Sequence, residues 1–167
     1  ARTKIRSRGW QITTPDATKL RFTSKKGDLP MVIALNTRTI LSIFRDMKEL
    51  KYLEVGWGDD EAVQLAEVLP LCTSATELSL NSNKISDRGA KALAAAFAEG
   101  AMPKLKDLLL GVNQIGDEGA VALAEAVGKG ALPKLEKLFL INNKLSQTAK
   151  DAWEAVKGKR SGLSVTI

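Results

Sequence analysis

The 167 residues, 44% of them hydrophobic, suffice to bury one sizeable core and demand no second domain. The net charge is +6, there is no histidine, and Cys72 is the single cysteine. That composition excludes an intramolecular disulfide, a cysteine-built metal site and every Ser-His or Cys-His catalytic arrangement. No apolar run, Leu29 to Leu35 included, approaches the roughly twenty residues of a membrane-spanning helix.

The charge is uneven. Residues 1–26 hold eight basic side chains against one acidic, a net of +7, while the other 141 residues carry 17 basic and 18 acidic groups. Residues 1–26 are therefore taken as a basic arm, with Arg2, Lys4, Arg6 and Arg8 alternating with Thr3, Ile5 and Ser7 ahead of Trp10. These five residues, the four cations and Trp10, are the candidate anchor for an acidic or anionic surface. Such a composition is also what remains when an organellar transit peptide is removed, and a flexible solvated tail is the plainer alternative. Within the arm, Trp10 to Thr13 and Lys19 to Thr23 read as short strands around Pro15 and Asp16. Residues 27–49 are expected to cap the first coil, with Thr37 to Met47 an amphipathic helix. Met31 to Leu35 fits either a strand before that helix or its first turn.

From residue 50 the chain repeats itself. Leu105-Lys-Asp-Leu108-Leu-Leu110-Gly-Val-Asn113-Gln-Ile115 matches Leu135-Glu-Lys-Leu138-Phe-Leu140-Ile-Asn-Asn143-Lys-Leu145 thirty residues on, and Ala75 to Ile85 thirty residues back. A weaker copy, Leu50-Lys-Tyr-Leu53-Glu-Val55-Gly-Trp-Gly58, stands twenty-five residues earlier, and Leu163-Ser-Val165 opens a fifth. In each, the alternation predicts a short strand with its flanking leucines in the core and its middle residue outside. Asn83, Asn113 and Asn143 recur where the chain leaves the strand, where a buried amide satisfies backbone groups of adjacent coils. Gly58 takes that place in the first copy, so the ladder is expected to start at Asn83.

Asp87 to Phe97 and Asp117 to Val127 read as helices that place Leu93 with Phe97, and Leu123 with Val127, on the sheet. Ser86, Asp87 and Asp117 suit helix starts, Gly100 and Gly130 left-handed ends, and Pro103 and Pro133 bar continuation. Asp59, Asp60 and Glu61 read as a solvated turn with helix-start acids, and Trp153, in the place of Leu123, as core.

The L-x-x-L-x-L-x-x-N-x-L pattern resembles that of leucine-rich repeats. Ile115 to Ala126, of the form I-G-D-E-G-A-x-A-L-A-x-A, is similar to the ribonuclease-inhibitor-like subfamily. The resemblance covers residues 50–167 and not 1–49. It implies an α/β solenoid of four to five units, strands concave and helices convex, that binds protein. The thirty-residue unit is longer than usual for the subfamily, and the repeats are few.

In such a solenoid the residues between the repeat leucines face outward. The expected columns are Glu54, Ser79, Leu109, Phe139, Ser164, then Gly56, Asn81, Gly111, Ile141, Thr166, then Trp57, Ser82, Val112, Asn142, Ile167. Leu109, Val112, Phe139, Ile141 and Trp57 are thus the candidate partner-binding residues. The apolar edge at Leu163 to Ile167 needs a cover, either a partner adding a strand or further chain. No catalytic residue, cofactor or metal site is expected, and no homo-oligomer. The expected role is a non-catalytic interaction module, an accessory or scaffolding subunit docked on a multisubunit complex. The alternative is a nucleic-acid or ribosome-associated protein binding through its arm. The expected compartment is intracellular, with a plastid or mitochondrion as the organellar option.

Overall fold

The computed structural model describes residues 37–167. The basic arm, its two expected strands, and Met31 to Leu35 lie outside the described residues. The chain runs α1 (Thr37–Asp46), β1 (Glu49–Lys51), α2 (Asp59–Val68), a 3-10 turn (Leu69–Leu71), β2 (Glu77–Ser79), α3 (Asp87–Ala98), β3 (Asp107–Leu109), α4 (Asp117–Gly128), β4 (Lys137–Phe139), α5 (Gln147–Lys159) and β5 (Ser164–Thr166). The five strands form one parallel sheet in sequence order. Among the described residues no helix is long and apolar enough to cross a membrane.

Each coil buries the same positions. Leu78 and Leu80, Leu108 and Leu110, Leu138 and Leu140 are fully enclosed, as are Ile85, Leu93, Ile115 and Leu123. Each such side chain contributes about 1.5–3 kcal/mol of burial. Adjacent strands sit about 4.8 Å apart but packed helices need about 8–10 Å, so strands take the inside of the curve and helices the outside. Alanine and glycine on the helix flanks keep that difference small. A Cβ added at Gly119 would stand 2.8 Å from the Ala90 methyl, and one at Gly89 only 2.9 Å from that of Ala62. Gly100 and Gly130 end α3 and α4 in the left-handed region at φ 92° and 105°.

Two ladders stitch the coils. Asn113 donates from Nδ2 to the carbonyls of Leu80, Leu110 and Gly111, while its Oδ1 accepts from the Ile85 amide at 3.1 Å. Asn83 does the same for Tyr52, Leu80, Asn81 and Trp57, and Asn143 for Leu110, Leu140 and Ile115. The ladder starts at Asn83 as expected, although the preceding position is Val55 rather than Gly58.

The second ladder was not anticipated. Asp87 accepts from the Gly116 and Gly119 amides at 2.8 and 2.7 Å, which cap the start of the next coil's helix α4. Asp59 likewise holds Ser86 and Gly89 at the start of α3, and Asp117 holds Ser146 at the start of α5. These carboxylates therefore serve the neighbouring helix rather than merely their own. Asp59 is no solvated turn residue.

The first and last coils depart from the sequence register. Leu50 pairs with Leu78, an interval of 28 residues, so the first strand is Glu49–Lys51 and its core positions are Met47, Leu50, Tyr52 and Trp57. The repeat at Leu50-x-x-Leu53-x-Val55 is a shadow of the true one, Met47-x-x-Leu50-x-Tyr52, displaced by three. At the other end Val165 stands beside Leu138 and Thr166 beside Phe139, an interval of 27. Leu163 instead fills the return turn, donating to the Arg160 carbonyl as Leu135 does to that of Leu132.

Candidate interaction surface

On the concave face the register gives columns that differ from expectation at both ends. The first residues of the strands run Glu49, Glu77, Asp107, Lys137, Ser164, and the residues between the core positions are Lys51, Ser79, Leu109, Phe139 and Thr166, of which Ser79 is buried and the other four are partly exposed. Glu54, Ser82, Val112 and Asn142 follow at the turn, all left-handed at φ 55–58°.

The structure brings together four of the five expected partner-binding residues. Leu109 and Phe139 are register partners on neighbouring strands, and the Val112 amide donates to the Ile141 carbonyl at 2.8 Å. The Phe139 ring lies across Gly111, where a Cβ would come within 2.5 Å of Cε1. Only glycine admits that approach. Asn81 fixes the Gly111 amide below with a 2.7 Å hydrogen bond. Val112 is 47% exposed. A β-branched apolar residue in the left-handed region carries strain and gains no burial in return.

Trp57 is the exception. It is 5% exposed and takes the core position of Ile85, its ring stacked on Tyr52 at 4.2 Å with planes 24° apart. The correction follows from the three-residue shift: the outward position is Glu54, and the larger ring supplies the core volume of the first coil. The same shift puts Leu53, read from sequence as core, outside at 52% exposure.

Sequence reasoning also missed the acidic half of this surface. Glu49, Glu77 and Asp107 stand in register on three adjacent strands, with Glu54 at the turn beyond. Lys51 reaches both Glu49, at 2.9 Å, and Glu77, at 3.2 Å. Its ammonium is held above its ordinary value, first by the hydrogen bond to Glu49, against partial desolvation that works the other way. The signal lay in the strand alternation, which turns the residue before each core leucine outward as well as the one after it. Among the described residues no cluster of three or more His, Cys, Asp or Glu side chains is arranged to hold a metal ion. The Cys72 thiol is buried and burial pushes it up to about 12.

The sequence pattern of the Leucine Rich repeat family matches residues 72–94 and 101–124. No curated protein matches the sequence. Among solved structures the chain is similar to leiomodin-1 actin-binding site 2, with a TM-score of 0.65 at 18% identity over 75% of this chain and 74% of that one. An internalin from Listeria monocytogenes aligns with 78% of this chain and 37% of its own at 18% identity, with a TM-score of 0.38, too low to bear on the fold.

Proposed function

Because the chain is a leucine-rich-repeat protein, we propose that it works as a non-catalytic docking module whose concave face, around Val112, Phe139, Leu109 and Ile141, holds another protein. The observation that carries this is Val112, exposed, apolar and left-handed where the equivalent positions are Glu54, Ser82 and Asn142. A contiguous apolar patch on a solvated face is how interaction surfaces present themselves. The Ile115 to Ala126 motif and its small-residue helix flanks support placement in the ribonuclease-inhibitor-like subfamily.

The finer role is an accessory or scaffolding subunit, with Arg2, Lys4, Arg6, Arg8 and Trp10 anchoring it to an anionic surface of the same assembly. The test is affinity capture from native extract using the full chain, a Phe139→Asp/Val112→Asp variant, and a chain lacking residues 1–26. Purified actin is assayed beside it, since the leiomodin-1 fragment is an actin-binding site. A stoichiometric protein lost with the face variant supports the module. Identical captures by all three chains sink it.

The net +7 of residues 1–26 favours a second reading, a nucleic-acid or ribosome-associated protein. Recovery of nucleic acid through the arm, falling steeply with salt, would mark that case.

A further inference from the structure

The apolar patch of the concave face is two coils wide. Leu109 and Phe139 stand side by side on β3 and β4, and Val112 and Ile141 follow along the same two coils. The flanking coils are polar there, with Ser79, Asn81 and Ser82 on one side and Thr166 on the other. At the strand starts Asp107 and Lys137 are register partners of opposite charge, and Lys51 bridges Glu49 and Glu77, so no single sign of charge selects what docks. The backbone under the patch is already bonded within the sheet. The Leu110 and Val112 amides donate to the Phe139 and Ile141 carbonyls, both at 2.8 Å, and the Gly111 amide donates to Asn81 Oδ1. The carbonyls of Leu109, Gly111 and Val112 accept from the amides of Leu80, Ser82 and Asn83.

We propose that the occupant of this patch is a helix of the partner protein, lying along the strands between coils 2 and 5 and presenting one narrow apolar stripe. The inference rests on the docking reading above and adds the partner's conformation and chemistry. An extended segment laid face-on would bring its own amides and carbonyls to a backbone that is already bonded, and would bury them unpaired. A helix arrives with its backbone satisfied. The width agrees, because β2 and β5 are three inter-strand spacings apart, about 14 Å, which admits one helix about 10–12 Å across and not a pair. Strands take the inside of the curve, so the trough runs parallel to them. From Leu109 to Val112 it extends at most about 10 Å, close to two helical turns of about 5.4 Å each. Apolar residues at i, i+4 and i+7 then meet Leu109 and Phe139 at one end and Ile141 and Val112 at the other.

The test selects a displayed library of random peptides of about twenty residues, long enough to hold a helix, against the full chain in high salt, where contacts to the basic arm are screened. Winners are measured on the full chain and on Phe139→Asp, which Val112→Asp replaces if circular dichroism shows the first variant unfolded. Each winner is compared with a version carrying proline at its centre. The expected winners have apolar residues four and seven apart, gain helical circular dichroism on binding, and bind almost equally at low and high salt. Their affinity should fall about thirtyfold with Phe139→Asp and at least about as much with the central proline. Winners that need Phe139 but bind extended, with apolar residues alternating and the proline tolerated, would overturn the helix and leave the docking surface standing. Winners indifferent to Phe139→Asp, or no winners at all, would overturn both.

Discussion

The ring of Phe139 occupies the space that a Cβ on Gly111 would fill, 2.5 Å from Cε1. The backbone of Gly111 is not in the left-handed region, so alanine is conformationally allowed there and the collision is with a side chain that can rotate. Gly111→Ala is expected to cost less than about 1 kcal/mol of stability while lifting the ring off the sheet. Chemical denaturation and partner capture, measured on the same variant, should therefore diverge.

Val112 is predicted to be a residue kept at the expense of stability. Asparagine tolerates the left-handed region and stands at the equivalent position in the next coil, as Asn142. Val112→Asn should stabilise by about 1 kcal/mol, raising the melting temperature by about 2–4 °C for a chain of this size, and should weaken partner capture. A destabilised variant would show that the valine packs usefully within the free protein.

Asn113 is buried, and its loss strands the carbonyls of Leu80, Leu110 and Gly111 and the amide of Ile85. Asn113→Ala should cost about 2–4 kcal/mol. Asn143→Ala should cost less, since water reaches that more open site. Urea unfolding of the two variants gives the ordering directly.

Acid should loosen the carboxylate ladder. Burial of Asp59 works to raise its pKa, but hydrogen bonds from Ser86 and Gly89, with Arg88 nearby, hold it below the ordinary carboxylate value. The hydroxyl and amide of Ser146 lower Asp117 in the same sense. Groups depressed in the folded state add stability that is complete above the unfolded value near pH 4, and lost as pH falls through the folded ones. The urea midpoint should drop below about pH 4, and more gently in Asp59→Asn, whose midpoint is already lowered at pH 7. Parallel pH profiles for wild type and variant would remove Asp59 from this role.

How legible the molecule was in its sequence depends on volume and on neighbours. Coils 2 to 4 were readable because leucine, asparagine and glycine recur at fixed intervals. The first coil offered two overlapping registers three residues apart, and Leu53 and Val55 looked more like repeat leucines than Met47 and Tyr52 did. Core volume decided between them, burying Tyr52 and Trp57 and expelling Leu53. The last coil hid a one-residue shortening between Leu163 and Val165. The Asp ladder was hidden because helix-start acids ordinarily serve their own helix. Its mark in the sequence was Gly116 and Gly119, where a side chain would collide with Asp87. The candidate surface was found in its apolar half because hydrophobic residues at outward positions stand out. The acids escaped because carboxylates on a surface ordinarily need no explanation.

The two ladders point in opposite directions along the chain. Asp59 reaches forward to complete the start of α3, while Asn83 reaches back to close the turn at Tyr52 and Trp57. Each coil therefore takes its helix cap from the coil before it and has its turn closed by the asparagine of the coil after it. Severing the solenoid between the first two of these coils would break both kinds of bond at once, opening helix-start amides on one side and turn carbonyls on the other.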